Sequence, residues 1–277
     1  MEIDNLLNQS PLGKRADYCG DYQPALLFPV ARAAFRASLG IAEKAPFYGH
    51  DLWNSYEFSW LNEKGKPVAA IAQFLIPCHS PYLIESKSFK LYLNSFHQTR
   101  FNSLEEISSL LKQDLSECAK APVLLEVAPM TTIGSCELIK PAGVCLDHLD
   151  ITVEQYTVDP ALLAVDGGAI VTESLYSDLF KSNCLVTGQP DWASIQIEYT
   201  GRKINHEQLL KYLISFRQFT AFHEHCVEQA FMEILQQCQP QQLTVTGHYT
   251  RRGGLDINAC RSTQADIQID STRLIRQ

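Results

Sequence analysis

The 277-residue chain lacks several features that would place it in a specialised class of protein. Its longest apolar stretch, residues 67–77, is the length of a strand and contains Gln73, whereas a membrane-spanning helix needs roughly 18 apolar residues. There is no CxxC pair among the nine cysteines, which argues against a zinc ribbon or a thioredoxin-type site. There is also no GxGxxG after a predicted strand and no Walker loop, so a bound nucleotide would not use a Rossmann fold.

Positive charge is scarce as well, because the chain has 23 Lys and Arg but 31 Asp and Glu, which gives a formal net charge of −8. Electrostatic binding along DNA or RNA needs a basic surface, so we expect no direct nucleic-acid binding. The first residues, MEIDNLLNQSPLGKR, contain no hydrophobic signal region. An odd number of cysteines without a secretory signal indicates reduced thiols, and we expect a cytoplasmic protein that is not bound to a membrane.

What remains is the composition of an ordinary globular protein, with 45% hydrophobic and 19% charged residues. The length favours two modules. Residues 1–50 are rich in Gly and Pro and predict an irregular segment with one helical piece over residues 29–38. The rest predicts an N-terminal module over residues 51–155 and a C-terminal module over residues 156–277.

Both modules show the same predicted order of strand, strand, helix, helix, strand, strand. In the first, a hairpin spans residues 56–77, helices follow over residues 86–96 and after the N-cap candidate Ser103, and the last strands cover residues 122–127 and 145–153. In the second, Asn205 can cap a helix and Pro240 ends the next one. The sequence therefore predicts an α+β fold of two tandem modules, each an antiparallel sheet with helices on one face.

The segment KSNCLVTGQPDW, residues 181–192, is the first candidate site. Its Gly188 and Pro190 allow the loop to fold back, so that the Cys184 thiol and the Asp191 carboxyl face one small site. A cysteine nucleophile with a carboxylic acid as proton donor is the functional interpretation. The simpler interpretation is a buried structural cysteine and an aspartate that caps a turn.

The segment IESKSFK, residues 84–90, is the second candidate. At a helix start, backbone N–H groups and the ammonium groups of Lys87 and Lys90 could face one anion. The alternative is a solvated amphipathic helix start.

The segment FHEHC, residues 222–226, is the third candidate. Its imidazoles suggest zinc, but positions i and i+2 of a helix point in different directions, so His223 and His225 are poorly placed to share one ion. A buried Glu224 needs a partner, and a guanine-like edge with two donors would satisfy both of its oxygens.

The segment YTRRGG, residues 249–254, is the fourth candidate and predicts a hairpin tip. A tip with exposed arginines is the simpler interpretation. Functionally, Arg252 and the bare backbone of Gly253 could grip a phosphate.

Together these four segments resemble the NADPH-dependent 7-cyano-7-deazaguanine reductases of queuosine biosynthesis, the QueF family, in its two-module form. The ESKSFKLY segment starting at Glu85 matches the signature of that family, and Cys184 with Asp191 matches its nucleophile and acid. The resemblance implies tandem tunnelling-fold modules, a homodimer and no metal. It also implies reduction of a nitrile to an amine by two NADPH through a covalent thioimide.

The resemblance further implies a role for each site residue. Catalysis falls to Cys184, Asp191 and His223, and the deazaguanine is bound by Ile84, Glu85, Ser86, His223 and Glu224. NADPH is bound by Ser86, Lys87, Arg252 and Gly253, with the cations facing its phosphates. Two rivals remain open, namely a zinc-dependent hydrolase of the same fold that uses Cys226, and a purine-binding module without catalysis.

Overall fold

The computed structural model describes residues 10–11, 13–14, 18–42, 44–135, 137–269 and 271–277. Most of the N-terminal segment considered for a signal peptide lies outside these residues. The chain divides into two compact units, of which unit 1 comprises Met1–Ala42, Asp51–Cys136 and Arg251–Asp256. Unit 2 comprises Glu43–His50, Glu137–Thr250 and Ile257–Gln277. The contiguous boundaries expected after residues 50 and 155 stay a prediction.

Unit 1 is built around antiparallel strands with helices between them. Its strands are β1 (Pro29–Ala31), most of β2 (Tyr48–Leu61), β3 (Pro67–Pro77), β4 (Tyr82–Ile84) and β5 (Leu124–Pro129). Its helices are α1 (Arg32–Arg36), α2 (Ser86–Asn94) and α3 (Leu104–Ala119). The larger sheet has the order β5-β3-β2, and β1 pairs antiparallel with β4.

Unit 2 contains the longer strands. They are β6 (Val144–Cys145), β7 (Val165–Asn183), β8 (Pro190–Ile204), β9 (Gln242–Tyr249) and most of β10 (Leu255–Ser262), in the sheet order β10-β9-β8-β7-β6. Helices α4 (His206–Ser215) and α5 (His223–Cys238) connect β8 to β9. All pairs are antiparallel except β6 with β7. The structure thus confirms a mixed α+β fold rich in antiparallel sheet.

Local capping chemistry fixes where the helices begin and end. The Ser103 hydroxyl accepts the Glu106 N–H at 3.1 Å before α3, and the Asn205 side chain accepts the Gln208 N–H at 3.0 Å before α4, which confirms both predicted caps. Helices α3 and α5 end at left-handed residues, Lys120 and Gln239 respectively. These ends position the strands that follow.

Each unit has its own aromatic core. In unit 1 the Phe89 ring of α2 lies 5.0 Å from Phe74 and 5.1 Å from Trp53, and all three side chains are buried. In unit 2 Phe180 of β7 packs 5.0 Å from Phe216, between their ring centroids. Buried aromatic rings contribute large apolar areas, so these clusters anchor the helices to their sheets.

Two predicted elements are wrong. The strand expected over residues 145–153 is only the two-residue β6, followed by a 3₁₀ turn at Leu146–His148. The Asp147 carboxylate accepts from the Ser177 hydroxyl at 2.5 Å and the Asp178 N–H at 2.9 Å, so a side chain fixes this segment where a strand ladder was expected. The helix expected over residues 29–38 is instead β1, α1 and a 3₁₀ turn.

In the described part of the chain, no helix combines the length and apolarity that crossing a membrane requires.

Candidate functional site

A tight loop between β7 and β8 carries Cys184. Cys184 directly follows β7, its N–H donates to the Gln189 carbonyl at 2.8 Å, and its carbonyl accepts the Gly188 N–H at 3.0 Å. Gly188 adopts a φ of +66°, which a glycine tolerates at little cost. Past the loop, Asp191 pairs with Ser182 in the β7–β8 register. The hairpin therefore carries the half-buried Cys184 thiol in its loop and the buried Asp191 carboxyl at the start of β8.

A second connection brings the start of α5 to the same loop. Asn183, the last residue of β7, donates its N–H to the Phe219 carbonyl at 2.8 Å and accepts the Ala221 N–H at 3.2 Å. This short parallel bridge leads directly into Phe222 and His223, where α5 begins. The His223 and Glu224 side chains therefore belong to the same part of unit 2 as Cys184.

The His223 imidazole joins the acid to a buried tyrosine. Its Nε2 lies 3.3 Å from Oδ2 of Asp191, whose side chain is only 3% exposed. Its ring stacks on Tyr249 of β9, with 3.8 Å between centroids and 7° between planes. Its Nδ1 is buried without a hydrogen-bonding partner among the described residues. The sequence offered no signal for this stacking, because the two residues are 26 positions apart.

Cys226, the thiol of the zinc alternative, is fully buried in α5. Burial raises the pKa of this thiol to about 12, although the neighbouring Ser182 and Tyr249 hydroxyls act to lower it. A thiol must lose its proton to bind zinc, so this environment disfavours Cys226 as a ligand. His225 turns away from His223 and stacks on Phe219. No group of three or more His, Cys, Asp or Glu suited to a metal occurs within the described residues.

A basic cluster around Trp192 was missed by the sequence reasoning. The guanidinium carbons of Arg217 and Arg276 lie 5.4 Å and 5.8 Å from the Trp192 ring centroid. The Lys181 ammonium donates to the Asn183 side chain at 2.6 Å and to the Arg217 carbonyl at 2.7 Å. Burial and Arg217 lower the pKa of Lys181, and Asp191 partly opposes this shift. The contributing residues are too far apart in sequence to form a recognisable motif.

In unit 1, Glu85 lies between Ile84, the last residue of β4, and Ser86, the first of α2. Its carboxylate caps the helix, because Oε1 accepts the Lys87 N–H at 2.7 Å and Oε2 accepts the Ser88 N–H at 2.8 Å. Burial raises the pKa of this fully buried carboxyl, although these hydrogen bonds lower it. The expectation that the N–H groups at this helix start face an external anion is therefore wrong for Lys87 and Ser88.

The two lysines of this segment also go to different acceptors. The Lys87 ammonium donates to the Lys14 carbonyl, whereas the Lys90 ammonium lies 2.6 Å from Oε2 of Glu57 and contacts the Gly253 carbonyl. The two amines therefore do not converge on one point. The Lys90 contact instead ties α2 to the turn that carries Gly253.

That turn is the hairpin tip predicted at residues 250–254. The Arg252 N–H donates to the Leu255 carbonyl at 2.9 Å, and Gly254 has a φ of +78°. A Cβ at Gly254 would lie 2.4 Å from the Glu57 side chain, so only glycine fits there. An open pocket of about 330 Å³ lies beside the turn, lined by residues of β2, α2 and the turn, namely Ser55, Glu57, Lys90, Leu93, Asn94, His97, Gly253, Gly254 and Leu255.

The predicted residues thus form two sets. The predicted catalytic set, Cys184, Asp191 and His223, lies in unit 2, and the predicted purine-binding residue Glu224 follows His223 on α5. The cationic set in unit 1 contains Lys87 and Arg252, with Ser86 and Gly253 beside them. Ile84 and Glu85 adjoin the cationic set.

Two family models match parts of this chain. Residues 18–127 match the family model described as "Nitrile reductase, 7-cyano-7-deazaguanine-reductase N-term", and residues 190–267 match "QueF-like protein". The crystal structure of the archaeosine synthase QueF-Like in the apo form covers 37% of this chain and 100% of that chain, at 16% identity and a TM-score of 0.31. That structural likeness is too low to support an argument about the fold.

Two curated relatives cover nearly the whole chain. The NADPH-dependent 7-cyano-7-deazaguanine reductase of Dechloromonas aromatica (strain RCB) is 51% identical over 269 residues, 97% of this chain and 95% of the relative. The protein of the same name from Bordetella avium (strain 197N) is 54% identical over 256 residues, 92% of this chain and 94% of the relative. The chain therefore belongs to the family of NADPH-dependent 7-cyano-7-deazaguanine reductases.

Proposed function

We propose that this protein reduces the nitrile of 7-cyano-7-deazaguanine to 7-aminomethyl-7-deazaguanine with NADPH, in tRNA queuosine biosynthesis, through a thioimide on Cys184. Family membership supports the overall reaction. The covalent route is supported by one observation, the hairpin loop that carries a half-buried free thiol at Cys184 and the buried Asp191 on the arm that follows.

The nitrile carbon accepts hydride poorly until a nucleophile has added to it. The Cys184 thiol passes its proton to Asp191 as its sulfur bonds to that carbon and one π bond of the nitrile breaks, and Asp191 delivers the proton to the nitrogen. The product is a thioimide that contains all the atoms of the thiol and the nitrile. When bound, NADPH supplies a hydride in each of the two reductions. A proton from solvent joins the nitrogen in the first reduction, the Cys184 sulfur then departs with its bonding electrons and leaves a protonated imine for the second, and a second proton from solvent restores the thiol.

The contact between His223 and Asp191 suits this acid chemistry. A carboxyl group that must hold and release a proton needs a partner that fixes its direction, and the His223 Nε2 lies 3.3 Å from Oδ2. We assign His223 to hold Asp191 and to line the space beside the reacting nitrile.

Purine recognition falls to Glu224 and Glu85, with Ile84, Ser86 and His223 completing the contacts. Glu224 is the second residue of α5 and is 3% exposed. Each Glu85 oxygen accepts one helix N–H, and a carboxylate offers about four acceptor positions. Glu85 is thus preorganised by α2 and retains capacity for a ligand donor.

The cationic set fits the phosphates of NADPH. Lys87 supplies a long cationic side chain at the start of α2, and Arg252 supplies a guanidinium beside the bare backbone of Gly253. Ser86 adds a hydroxyl. Arg and Lys are the usual partners of phosphate, and a glycine allows close approach of the backbone.

The fold and assembly complete the proposal. One tunnelling-fold module is supported by the element order β7-β8-α4-α5-β9-β10. Most of a second module is supported by β2, β3, α2, α3 and β5. A homodimer without metal, located in the cytoplasm and not bound to nucleic acid or membrane, follows from the resemblance and the composition.

The test is NADPH oxidation by the purified protein with 7-cyano-7-deazaguanine as the only other substrate, followed at 340 nm. We expect steady oxidation of two NADPH per nitrile, and no oxidation above background in Cys184→Ala. Cys145→Ala is the matched control, because Cys145 is another half-buried free cysteine of unit 2. Turnover by Cys184→Ala at the wild-type rate would refute the thioimide, and a wild-type protein that oxidises no NADPH would refute the function.

A further inference from the structure

Tyr249 is a fully enclosed aromatic residue beside the catalytic set. It is the last residue of β9, its side chain is fully buried, and its backbone is paired with Ala193 of β8. Its carbonyl accepts the side-chain amide of Gln277 at 3.2 Å. Register, burial and a hydrogen bond therefore fix this tyrosine independently of α5.

The hydroxyl end of Tyr249 also has polar neighbours. It lies 3.5 Å from the His223 carbonyl and is close to the buried Cys226 thiol. Burial and the neighbouring thiol raise the pKa of Tyr249 well above its usual range, so the phenol stays protonated. Its ring is therefore a rigid neutral surface.

His223, in contrast, has a polar contact at only one of its two ring nitrogens among the described residues, the 3.3 Å contact of Nε2 with Asp191. It is the first residue of α5, where helix ends fray, and Phe222 before it makes no side-chain cap. A functional histidine is usually oriented by the hydrogen bond that its second nitrogen makes. The Nδ1 of His223 has no such partner among the described residues. The ring face of Tyr249, 3.8 Å away and 7° from parallel, contacts the imidazole instead.

We propose that Tyr249 is a positioning residue, which holds the His223 imidazole by ring stacking so that Nε2 is directed at Asp191. The stacking replaces the missing hydrogen bond at Nδ1. Its kinetic consequence rests on the proposed function, because it assumes that Asp191 and His223 act in the reduction. The orientation of the imidazole itself does not depend on that assumption.

Three variants separate the ring from the hydroxyl and from general stability. Tyr249→Phe keeps the stacking face and loses the hydroxyl, whereas Tyr249→Leu loses the face. Tyr212→Leu is the matched control, because Tyr212 is equally buried in unit 2 and bonds to Glu233 rather than to the catalytic set. Thermal unfolding of each variant confirms that it is folded, and Tyr249→Met serves in place of Tyr249→Leu if the latter is not.

The first readout is the ring proton resonances of His223 in protein with isotope-labelled histidine, recorded without substrate and assigned with His223→Gln. Stacking over a tyrosine moves these resonances upfield, so we expect the wild type and Tyr249→Phe to agree. Tyr249→Leu should move the resonances downfield. Identical His223 resonances in the wild type and Tyr249→Leu would overturn the proposal, even if the protein proves not to be a nitrile reductase.

The second readout is the split between kcat and KM. Misplacing a reacting group by about 1 Å costs on the order of 100-fold in rate, so Tyr249→Leu should lower kcat at least about tenfold. The KM for NADPH should stay within about twofold, because the cationic set is untouched. Tyr249→Phe should recover most of the kcat, and Tyr212→Leu should keep it. An unchanged kcat in Tyr249→Leu would equally overturn the proposal, whereas an inactive wild type would refute only the proposed function.

Discussion

The two sets of functional residues are held in different ways. In unit 2, Asp191 and Glu224 are buried, and strand register, a short parallel bridge and a stacked ring fix the catalytic groups. In unit 1, Lys87 and Arg252 are long side chains on a helix start and a turn, and the Lys87 ammonium donates to the Lys14 carbonyl.

This difference matches the work proposed for each set. Proton delivery and addition to a nitrile depend on sub-ångström placement, which buried register provides. Neutralising phosphate depends on charge, which acts over several ångströms and tolerates mobile side chains. Changes at Cys184, Asp191 or His223 should therefore reduce kcat, and changes in the cationic set of unit 1 should raise KM for NADPH.

The largest effect is expected for Asp191→Asn. The amide cannot deliver a proton to the nitrile nitrogen, and general acid catalysis contributes about 10²–10⁴-fold, so kcat should fall at least about 100-fold. Initial rates at saturating NADPH and nitrile measure it. A kcat within threefold of wild type would show that Asp191 is not the acid and would remove the contrast between the two sets.

A smaller effect is expected for Lys87→Ala and for Arg252→Ala. A charge-assisted contact contributes about 1.5–3 kcal/mol, which corresponds to roughly a ten- to 100-fold rise in KM for NADPH. The kcat should change by less than about threefold. Lys120→Ala is the control, since Lys120 is an exposed lysine of unit 1 paired with Glu117. If NADPH KM is unchanged in both variants, the cofactor binds elsewhere.

If the cofactor does not bind at Lys87 and Arg252, the basic cluster around Trp192 is another location for it. The KM for NADPH of Arg217→Ala, measured in the same series, distinguishes these two locations. We expect its NADPH KM to match that of wild type.

The smallest effect is expected for Glu224→Gln. The new amide donor faces the donors of the purine, and leaving buried donors unpaired costs about 1–3 kcal/mol, so nitrile affinity should fall about tenfold. NADPH affinity should not change. Calorimetric titration with nitrile measures this, with Glu233→Gln on the same helix as control. Affinity equal to wild type would remove Glu224 from purine recognition.

Sequence reasoning succeeded where the interaction is local. The caps at Ser103 and Asn205 act within three residues, so their chemistry is visible in the sequence itself. It failed where a contact with a distant residue determines the local structure. The hydrogen bond between Asp147 and Ser177 is an example, since it holds a segment for which a strand was predicted. The Glu85 cap was missed for another reason, since Glu is not among the favoured N-cap residues.

The catalytic set shows the same limit. The hairpin that carries Cys184 and Asp191 could be anticipated, because a loop with Gly188 and Pro190 is short enough to fold back. The contacts of His223 with Asp191 and with Tyr249 depend on the packing of α5 against β8 and β9. No spacing in the sequence encodes that packing.

The account depends most directly on the covalent bond at Cys184. We therefore propose incubating the protein with 7-cyano-7-deazaguanine in the absence of NADPH and measuring its intact mass, followed by peptide mapping. The account predicts a gain of one nitrile per chain, located on the peptide that contains Cys184 and absent in Cys184→Ala. No gain in mass, or an adduct on any other cysteine, would contradict it.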